Sequence, residues 1–374
     1  MKSFKLIVLL LLSVVLFSGC KSCNRKDKNT IKIGVINPET GELATYGEKI
    51  RRGLAIAEEE IEANNLLNGK KLEVLIEDTK GDSKESLSAV QKLININKVK
   101  YIIGEISGNA TLAVLPYTES KNVFLFSPGA ASPKLTNASE LFARNWPSNS
   151  AEAIGAAEYS YNTLGYRTAI IVYVNNEWGI GLQENFEKKF KSLGGQVVSK
   201  EIYPYENTEF RTIVSKIKNL NADMIYLAGN QREMGLFMKQ LREAQASFPV
   251  ISNTSFLESD CLNLAGDAAD GVIVPTPAYD PNSPATQKVK SFADRYYQKY
   301  KTMPSLVDAN GYDALMLIVE AINKVGDDPN KVANYIRNLK NYDAAGGVEN
   351  FENGDVIMKN SFKMVKDGSV ISVE

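Results

Sequence analysis

The chain has 374 residues, of which 43 are lysine or arginine, 44 are aspartate or glutamate and none is histidine. The net charge of −1 offers no basic surface to nucleic acid, so we expect no nucleic-acid partner. The absence of histidine removes the usual general base of hydrolases and the commonest ligand of transition metals. We therefore expect no enzymatic activity, no metal site and no cofactor.

The first twenty residues predict export from the cytoplasm. Two lysines precede an apolar run over residues 6–17, which is too short for a permanent membrane helix, since about 20 residues are needed to span a bilayer. The following Ser18-Gly19-Cys20 resembles the lipobox of bacterial lipoproteins. This resemblance implies a signal peptide over 1–19, lipid attachment at Cys20 and a tether over 20–29, with plain secretion as the alternative.

From Thr30 onward, short apolar strands alternate with amphipathic helices, which is the pattern of an α/β fold with parallel sheets. In the first half, strands are predicted at 31–36, 72–76, 99–103 and 123–126, with helices at 45–63, 83–94 and between the last two strands. After Pro147 the pattern begins again, with strands at 168–174, 196–199, 223–227 and 250–252 and helices at 179–193, 209–220 and 232–246. The repetition predicts two lobes with a cleft between the carboxyl edges of their sheets.

The last third of the chain contains weaker signals. Four prolines between 275 and 284 precede two predicted helices, at 285–300 and from 305 or 308 to 324. Residues 356–373 alternate around Asp367-Gly368, which predicts a hairpin. Cys261 is expected to be the single cysteine of the folded body, so no disulfide framework is predicted.

Several motifs in order along the chain resemble those of the branched-chain amino-acid-binding proteins of ABC transporters, which are type I periplasmic binding proteins. They lie at residues 40–47, 52–53, 127–136, 175–181, 264–266, 270–271 and 311–314. The resemblance implies a Venus flytrap of two doubly wound parallel-sheet lobes joined by three hinge crossings. The lobes would comprise 30–148 plus 279–345 and 149–278 plus 346–374.

The resemblance also implies where an anionic ligand group binds. In the family, a carboxylate meets backbone N–H groups at two loop-to-helix junctions, here Ser107-Gly108-Asn109 and Gly129-Ala130-Ala131. Helix N-termini suit anions because free N–H groups and the helix dipole converge there. Two hydroxyls of the family pattern fall on Gly108 and Ala131, so Ser107 and Ser132 either compensate for them or only cap helices.

The position that holds the ligand's amino group in the family falls near Thr254, in a segment without a carboxylate. An ammonium enclosed without a countercharge would be unfavourable, so ligands other than a simple aliphatic amino acid are also expected. Glu258 and Asp260 lie nearby in sequence, but the sequence does not place them in the cleft.

The remaining candidate contacts are aromatic and amide side chains. Tyr46 and Trp178 fall on ligand-facing positions of opposite lobes, where an aromatic ring would cover an apolar part of the ligand. Trp178 would otherwise pack in the core. Asn230 and Gln231 match a further contact position, and Trp146 belongs to either the hinge or the cleft.

These features predict a lipid-anchored extracytoplasmic solute-binding protein that captures an amino acid or a related small ligand and delivers it to an ABC permease. Its expected partners are this ligand, the permease and the lipid bilayer that holds Cys20, and we expect a monomer. A sensor that uses the same flytrap to signal to a membrane partner is one alternative. An exported enzyme is another, although the sequence has no Gly-x-Ser-x-Gly motif and no phosphate-binding Gly-x-x-x-x-Gly-Lys motif.

Overall fold

The structure is a computed structural model that describes residues 29–373. The predicted signal peptide over 1–19 and the predicted lipidation site Cys20 lie outside these residues. Within the described part of the chain, no helix combines the length and the apolar character that crossing a membrane requires.

Strands and helices alternate along most of residues 29–373, as the hydrophobic pattern predicts. The strands are β1 (Thr30–Asn37), β2 (Lys71–Asp78), β3 (Tyr101–Ile103), β4 (Phe124–Ser127), β5 (Phe142–Arg144), β6 (Thr168–Val174), β7 (Gln196–Tyr203), β8 (Met224–Ala228), β9 (Val250–Ser252), β10 (Ile273–Pro277), β11 (Tyr342–Ala344), β12 (Gly347–Glu352), β13 (Asp355–Ile357), β14 (Asn360–Lys366) and β15 (Ser369–Val373). The α-helices are α1 (Ala44–Ala63), α2 (Ser83–Asn95), α3 (Gly108–Ser120), α4 (Asn149–Glu158), α5 (Glu177–Ser192), α6 (Arg211–Ile217), α7 (Gln231–Glu243), α8 (Ser259–Ala265), α9 (Gln287–Tyr300), α10 (Leu306–Val325) and α11 (Pro329–Arg337).

The strands form two sheets, each at the centre of one lobe. The order of the first sheet is β11-β12-β13-β5-β4-β3-β1-β2, and the order of the second is β15-β14-β10-β9-β8-β6-β7. Within each sheet the central strands pair in parallel, whereas β11, β12, β14 and β15 pair antiparallel with their neighbours. The prediction of two α/β lobes built on mostly parallel sheets is confirmed.

Each sheet is buried on both faces. In the first lobe, Val35 of β1 contacts one core cluster and the next residue, Ile36, belongs to another. In the second lobe, Ile170 and Ile171 of β6 divide between two clusters in the same way. Because successive side chains of a strand point to opposite faces, a strand covered on both faces must be apolar throughout. This explains the uninterrupted apolar run at 168–174.

The chain passes between the two sheets three times within the described residues: after β5, after β10 and after β13. The third passage differs from the prediction, which assigned 346–374 to the second lobe. That assignment is wrong for β12 and β13, because both strands belong to the first sheet and Asp355 pairs with Arg144 of β5. The third crossing therefore lies at 358–359.

The predicted hairpin near the C-terminus is confirmed. Lys366 of β14 pairs with Ser369 of β15, and the two residues between them, Asp367 and Gly368, have φ angles of 50° and 70°. Positive φ at both turn residues is what a two-residue type I′ turn requires. The pattern did not predict α4, α8, α11, β5, β10 or the strands β11 to β13.

Candidate ligand-binding site

A cavity of about 390 Å³ lies between the two lobes. The first lobe contributes two loops at the carboxyl ends of β3 and β4, and the second lobe contributes residues that follow the first crossing and β6. The lining residues are Ile106, Ser107, Gly108, Asn109, Gly129, Ala131, Ser132 and Pro133 from the first lobe and Asn149, Asn176 and Trp178 from the second. The structure thus brings seven of the predicted contact residues to one cavity.

The first loop presents the N-terminus of α3 to the cavity. Ser107 is the N-cap of this helix, and its Oγ accepts a hydrogen bond from the Ala110 N–H at 3.4 Å. The N–H groups of Gly108 and Asn109 have no acceptor among the described residues. Two donors at the positive end of a helix dipole are therefore available to an anionic ligand group.

A buried carboxyl group holds this loop from beneath. Glu105 is fully buried, and its Oε2 accepts hydrogen bonds from the N–H groups of Ile106 at 2.8 Å and Ser107 at 3.0 Å. Its Oε1 accepts from the Thr79 hydroxyl at the end of β2. Burial raises the pKa of the Glu105 carboxyl. The backbone N–H of Ser107, a predicted ligand donor, is therefore already used within the protein.

The second loop follows β4 and presents two further N–H groups. The hydroxyl of Ser127 accepts from the N–H of Ala130 at 2.9 Å, and Ala130 is fully buried and does not line the cavity. The N–H groups of Ala131 and Ser132 have no acceptor within 29–373. The Ala131 carbonyl accepts from the N–H of Asn149 at 3.0 Å, which joins the two lobes beside the cavity.

Arg144 positions the second loop from the core. Its side chain is fully buried, and Nη1 donates to the carbonyls of Ala130 at 3.0 Å and Ser132 at 2.8 Å. Nε and Nη2 donate to the two carboxylate oxygens of Asp355 at 2.7 and 3.0 Å, and Nη2 also reaches the Thr136 hydroxyl. The bidentate pair between β5 and β13 thus fixes the guanidinium that holds the loop carbonyls away from the cavity.

Two glycines allow the loops to approach each other. A Cβ on Gly108 would lie 2.8 Å from the Cβ of Ser132, and a Cβ on Gly129 would lie 2.7 Å from the Cγ2 of Ile106. The family hydroxyl that is missing at residue 108 therefore has no room here, because Ser132 fills the neighbouring space.

We expect Gly108→Ala to lower the free energy of unfolding by about 1–2 kcal/mol and to weaken ligand binding, because the added methyl group pushes the Ser132 loop away. Thermal unfolding and calorimetric titration measure the two effects. Gly181→Ala is a matched control in α5, where the nearest atom to the new Cβ, Cγ of Pro133, is 4.0 Å away. Equal effects of the two substitutions would contradict the packing argument.

Trp178 lies in the first turn of α5, at the carboxyl end of β6. The side chain of Asn176 caps this helix by accepting from the Gly179 N–H at 2.8 Å. The Trp178 side chain is partly buried against the second-lobe core and also lines the cavity. The two alternatives predicted for this residue, core packing and ligand contact, are therefore compatible.

The structure places the other predicted contacts outside the wall of this cavity. Tyr46 is 38% exposed, and burial together with the charge of Glu258 raises the pKa of its phenol, so a second-lobe carboxylate lies near this first-lobe ring. Asn230 and Gln231 begin α7 and do not line the cavity. The Nδ2 of Asn230 is buried without an acceptor among the described residues.

The sequence prediction missed a carboxylate beside Thr254. Glu152 of α4 accepts hydrogen bonds through Oε1 from the Thr254 hydroxyl at 2.6 Å and from the Thr254 N–H. Both residues line a second cavity of about 30 Å³, together with Trp146, and Asn149 lines both cavities. No local pattern indicates this contact, because 102 positions separate the two residues.

Within 29–373, no group of three or more cysteine, aspartate or glutamate side chains is arranged to hold a metal ion. Cys261 is a free, buried cysteine in α8, and burial raises the pKa of its thiol to about 12.

The sequence and the fold both match known proteins. A family profile described as periplasmic binding protein matches residues 30–366. A leucine-, isoleucine-, valine-, threonine- and alanine-binding protein of Pseudomonas aeruginosa is 26% identical over 335 residues, which cover 87% of this chain and 88% of the relative.

Solved structures of similar proteins also match the fold of this chain. A leucine-binding protein from Thermotoga maritima is 29% identical with a TM-score of 0.78, and the match covers 92% of this chain and 98% of that chain. An ABC transporter substrate-binding protein from Desulfitobacterium hafniense, in complex with leucine, is 25% identical with a TM-score of 0.77 and is covered completely, at 100%. The resemblance of the motifs is thereby confirmed. This chain belongs to the type I periplasmic binding protein family, the solute-binding proteins that include the branched-chain amino-acid-binding proteins of ABC transporters.

Proposed function

We propose that this protein is the solute-binding component of an ABC transporter, which captures a small ligand between its lobes and delivers it to the permease. The observation that carries this proposal is the 390 Å³ cavity, where free N–H groups of two first-lobe loops face Trp178 of the second lobe. The volume is that of a site for a small molecule. Backbone N–H donors, asparagine amides and the indole of Trp178 surround the cavity, and groups of this kind bind a ligand without reacting with it.

The lining residues support a ligand with an anionic end and an apolar remainder. The N–H groups of Gly108, Asn109, Ala131 and Ser132 are the donors available to a carboxylate. The indole of Trp178 offers an apolar surface from the opposite lobe. Relatives named for leucine, isoleucine and valine bind compounds of this kind, which makes the amino acids the first class to test.

The ligand is captured when the two lobes close over it. Asn149 of the second lobe donates to Ala131 of the first, and this contact requires that the lobes face each other. A ligand that touches both walls binds this arrangement more tightly than an open one. The difference between the two affinities is the free energy that drives closure.

The site of action follows from the family and from the N-terminal sequence. A periplasmic binding protein works outside the cytoplasm, and the basic, apolar and small residues of 1–20 support export as a lipoprotein. Lipid on Cys20 would then keep the binding body at the membrane, where a monomer meets its permease.

We expect Trp178→Ala to weaken ligand affinity roughly 10- to 100-fold, because the substitution removes the largest apolar surface of the second-lobe wall. A thermal-shift screen of the purified protein against the standard amino acids and simple carboxylates identifies ligands, and calorimetry measures their affinity. Tyr205→Ala is the control, since Tyr205 is a second-lobe aromatic residue that is 60% exposed and does not line the cavity. Unchanged affinity in Trp178→Ala would place the ligand elsewhere.

A further inference from the structure

Lysine side chains line the amino edge of the first-lobe sheet, which is the edge opposite the donor loops. The neighbouring strands β4, β3, β1 and β2 run parallel, so the residues that lead into them form one row. The row is about 15 Å long, because three strand spacings separate β4 from β2. Its exposed lysines are Lys70, Lys71, Lys98, Lys100 and Lys121.

The end of α10 adds Lys324 to this row. The Nδ2 of Asn323 donates to the Leu66 carbonyl at 2.6 Å, and the Nζ of Lys100 lies 2.9 Å from the Asp327 carboxylate. These contacts place the exposed Lys324 beside the lysines that precede β2 and β3. We call this surface the basal edge and define it by residues 66–71, 95–100, 121–122 and 323–328.

Most of the positive charge at the basal edge is not neutralised. Of its six lysines, only Lys100 forms an ion pair within residues 29–373. Asp328 is occupied as the N-cap of α11, and Glu119 accepts a hydrogen bond from the Ser139 hydroxyl at 3.0 Å. Glu62, in the last turn of α1, is an exposed carboxylate on the same side of the lobe. The five lysines without an ion pair outnumber these three carboxylates.

The equivalent edge of the second sheet has a different charge. Asp223 precedes β8, and its Oδ2 accepts hydrogen bonds from the N–H groups of Arg167 and Thr168 at 2.8 Å each. Asp270 precedes β10 and accepts from the N–H of Asp367 at 2.9 Å. Carboxylates therefore hold turns together at that edge, whereas lysines cover the basal edge. The lysine row is a feature of this end of the molecule and not a requirement of the fold.

An exposed isoleucine lies among these lysines. The side chain of Ile96, at the C-cap of α2, is 72% exposed, more than any other large apolar side chain of the described residues. Its loop is held in place, because the Nδ2 of Asn95 donates to the Tyr117 hydroxyl at 2.8 Å and the Val99 N–H donates to the Leu93 carbonyl at 3.2 Å. A lone apolar side chain on a surface needs no explanation by itself. Beside a row of lysines, however, it matches a surface that meets a bilayer, where basic groups contact lipid phosphates and apolar groups enter the headgroup layer.

The chain enters the folded body at the basal edge. The Nδ2 of Asn29 donates to the Gly69 carbonyl at 3.3 Å, and the Asn29 carbonyl accepts from the Lys71 N–H at 2.8 Å. The proposed tether contains four basic residues and one acidic residue, and a chain of this length reaches at most about 30 Å. A lipid on Cys20 would therefore hold the basal edge close to the bilayer that carries the anchor.

We propose, resting on the lipid anchoring proposed above, that the basal edge docks on the anionic surface of the bilayer. The lysines contact lipid phosphates, and Ile96 enters the headgroup layer between them. The anchor alone supplies proximity, whereas the basal edge supplies orientation. Because the donor loops follow the opposite ends of β3 and β4, a docked body keeps its cleft away from the bilayer and open to ligands.

Vesicle binding of the unlipidated protein tests the inference. The mature chain, residues 20–374, is produced without its signal peptide, so that Cys20 carries no lipid and the basal edge must bind by itself. We expect it to co-sediment with vesicles of phosphatidylglycerol and phosphatidylcholine, and not with vesicles of phosphatidylcholine alone. Raising the salt concentration should weaken this binding, since ions screen charges at a surface. Lys98→Gln, Lys121→Gln and Lys324→Gln in combination should weaken it roughly 10- to 100-fold.

Three further variants provide a control and a second readout. Lys188→Gln, Lys218→Gln and Lys239→Gln in combination remove the same charge from exposed second-lobe positions and should leave vesicle binding unchanged. Ile96→Trp should add a fluorescence component that shifts to the blue on anionic vesicles and is quenched by brominated lipid. Ile96→Ser should weaken vesicle binding roughly 3- to 10-fold and leave binding to soluble polyphosphate unchanged, because polyphosphate offers no apolar phase.

Several results would overturn the inference. Equal loss of vesicle binding in the two triple variants would mean that net charge governs it, and normal binding of the basal-edge variant would mean that the tether lysines suffice. Fluorescence of Ile96→Trp that does not respond to anionic vesicles would place another surface on the bilayer. Thermal unfolding shows whether each variant folds, and the wild-type preference for anionic vesicles stands as a test without any substitution.

The ligand screen of the proposed function is independent of these measurements, because the cleft lies at the opposite edge of the sheet. Vesicle binding by a protein that binds no solute would count against the proposed function alone. Solute binding by a protein that ignores anionic vesicles would reject this inference alone.

Discussion

Asp355→Ala is expected to destabilise the protein by about 3–5 kcal/mol and to abolish tight ligand binding. The substitution removes the carboxylate from the bidentate pair with Arg144, whose side chain is 0% exposed. A buried guanidinium without its countercharge is strongly unfavourable, and this penalty accounts for most of the expected loss. The second donor loop loses its support as well, because the same guanidinium holds the carbonyls of Ala130 and Ser132.

A second variant separates stability from binding. Arg144→Met combined with Asp355→Leu replaces the pair by apolar groups, so it should recover much of the lost stability and none of the loop hydrogen bonds. Denaturant unfolding measures the first effect and calorimetry the second. Asp294→Ala is the control, because its ion pair with Lys290 is exposed and worth at most about 0.5 kcal/mol. Normal ligand affinity in the double variant would show that Arg144 does not position the loop.

Glu349→Gln is expected to stabilise the protein at alkaline pH. Glu349 of β12 is fully buried, and neither of its carboxyl oxygens has a well-aligned hydrogen bond among the described residues. The neighbouring Asn145 side chain lies close enough to lower the pKa of Glu349, against the larger effects that raise it. Asp313 accepts hydrogen bonds from the N–H groups of Ala345 and Gly346, at 2.8 and 2.7 Å. Asp313 therefore carries the negative charge more easily, and Glu349 retains the proton.

The sign of the pH dependence follows from this arrangement. Burial, and then the charge of Asp313, raise the pKa of Glu349 in the folded protein well above its ordinary value. The protonated carboxyl favours the folded state below the ordinary value of about 4.5, and this stabilisation is lost as the pH rises through the folded pKa. A glutamine side chain has nearly the same shape as the Glu349 side chain but carries no titratable carboxyl group. The variant should therefore be more stable than the wild type by roughly 1–3 kcal/mol at pH 8, with little difference at pH 4.

Thermal unfolding between pH 4 and pH 9 measures this difference. Tyr342 and Asp313 face Glu349, Lys288 and Asp343 act on Asp313, and all four remain in the variant. Glu352→Gln provides the control, since Glu352 lies on the same strand with an exposed side chain and should show no such pH-dependent gain. A constant difference between Glu349→Gln and the wild type at all pH values would contradict a proton held by Glu349.

The elements that the sequence predicted well are those with a local signature. The apolar run at 168–174 can only be a strand covered on both faces, and Asp367-Gly368 permits positive φ at both turn positions. By contrast, α11 was missed although Asp328 caps it and Pro329 occupies its first turn, a combination that is a recognised helix start. That signal was available in the sequence.

The candidate site divides in the same way. The first donor loop could be located from sequence because it follows an apolar strand and precedes a helix, and the open N–H groups of Gly108 and Asn109 need no special side chain. The second donor loop was expected from the family resemblance, and a short 3₁₀ turn at Pro133–Leu135 follows it. Asn230 and Gln231 were expected as contacts from their position between a strand and a helix as well as from the resemblance, and the structure places both outside the wall of the main cavity.

The amino-acid sequence alone determined two α/β lobes, the strands that carry the donor loops and the Trp178 turn, because hydrophobic period, caps and turns act over a few residues. Only the tertiary structure decided which groups complete the site. Glu152 meets Thr254 across 102 positions, and Arg144 meets Asp355 across 211. No local pattern encodes such pairs, because they form only when the crossings between the lobes bring distant segments together.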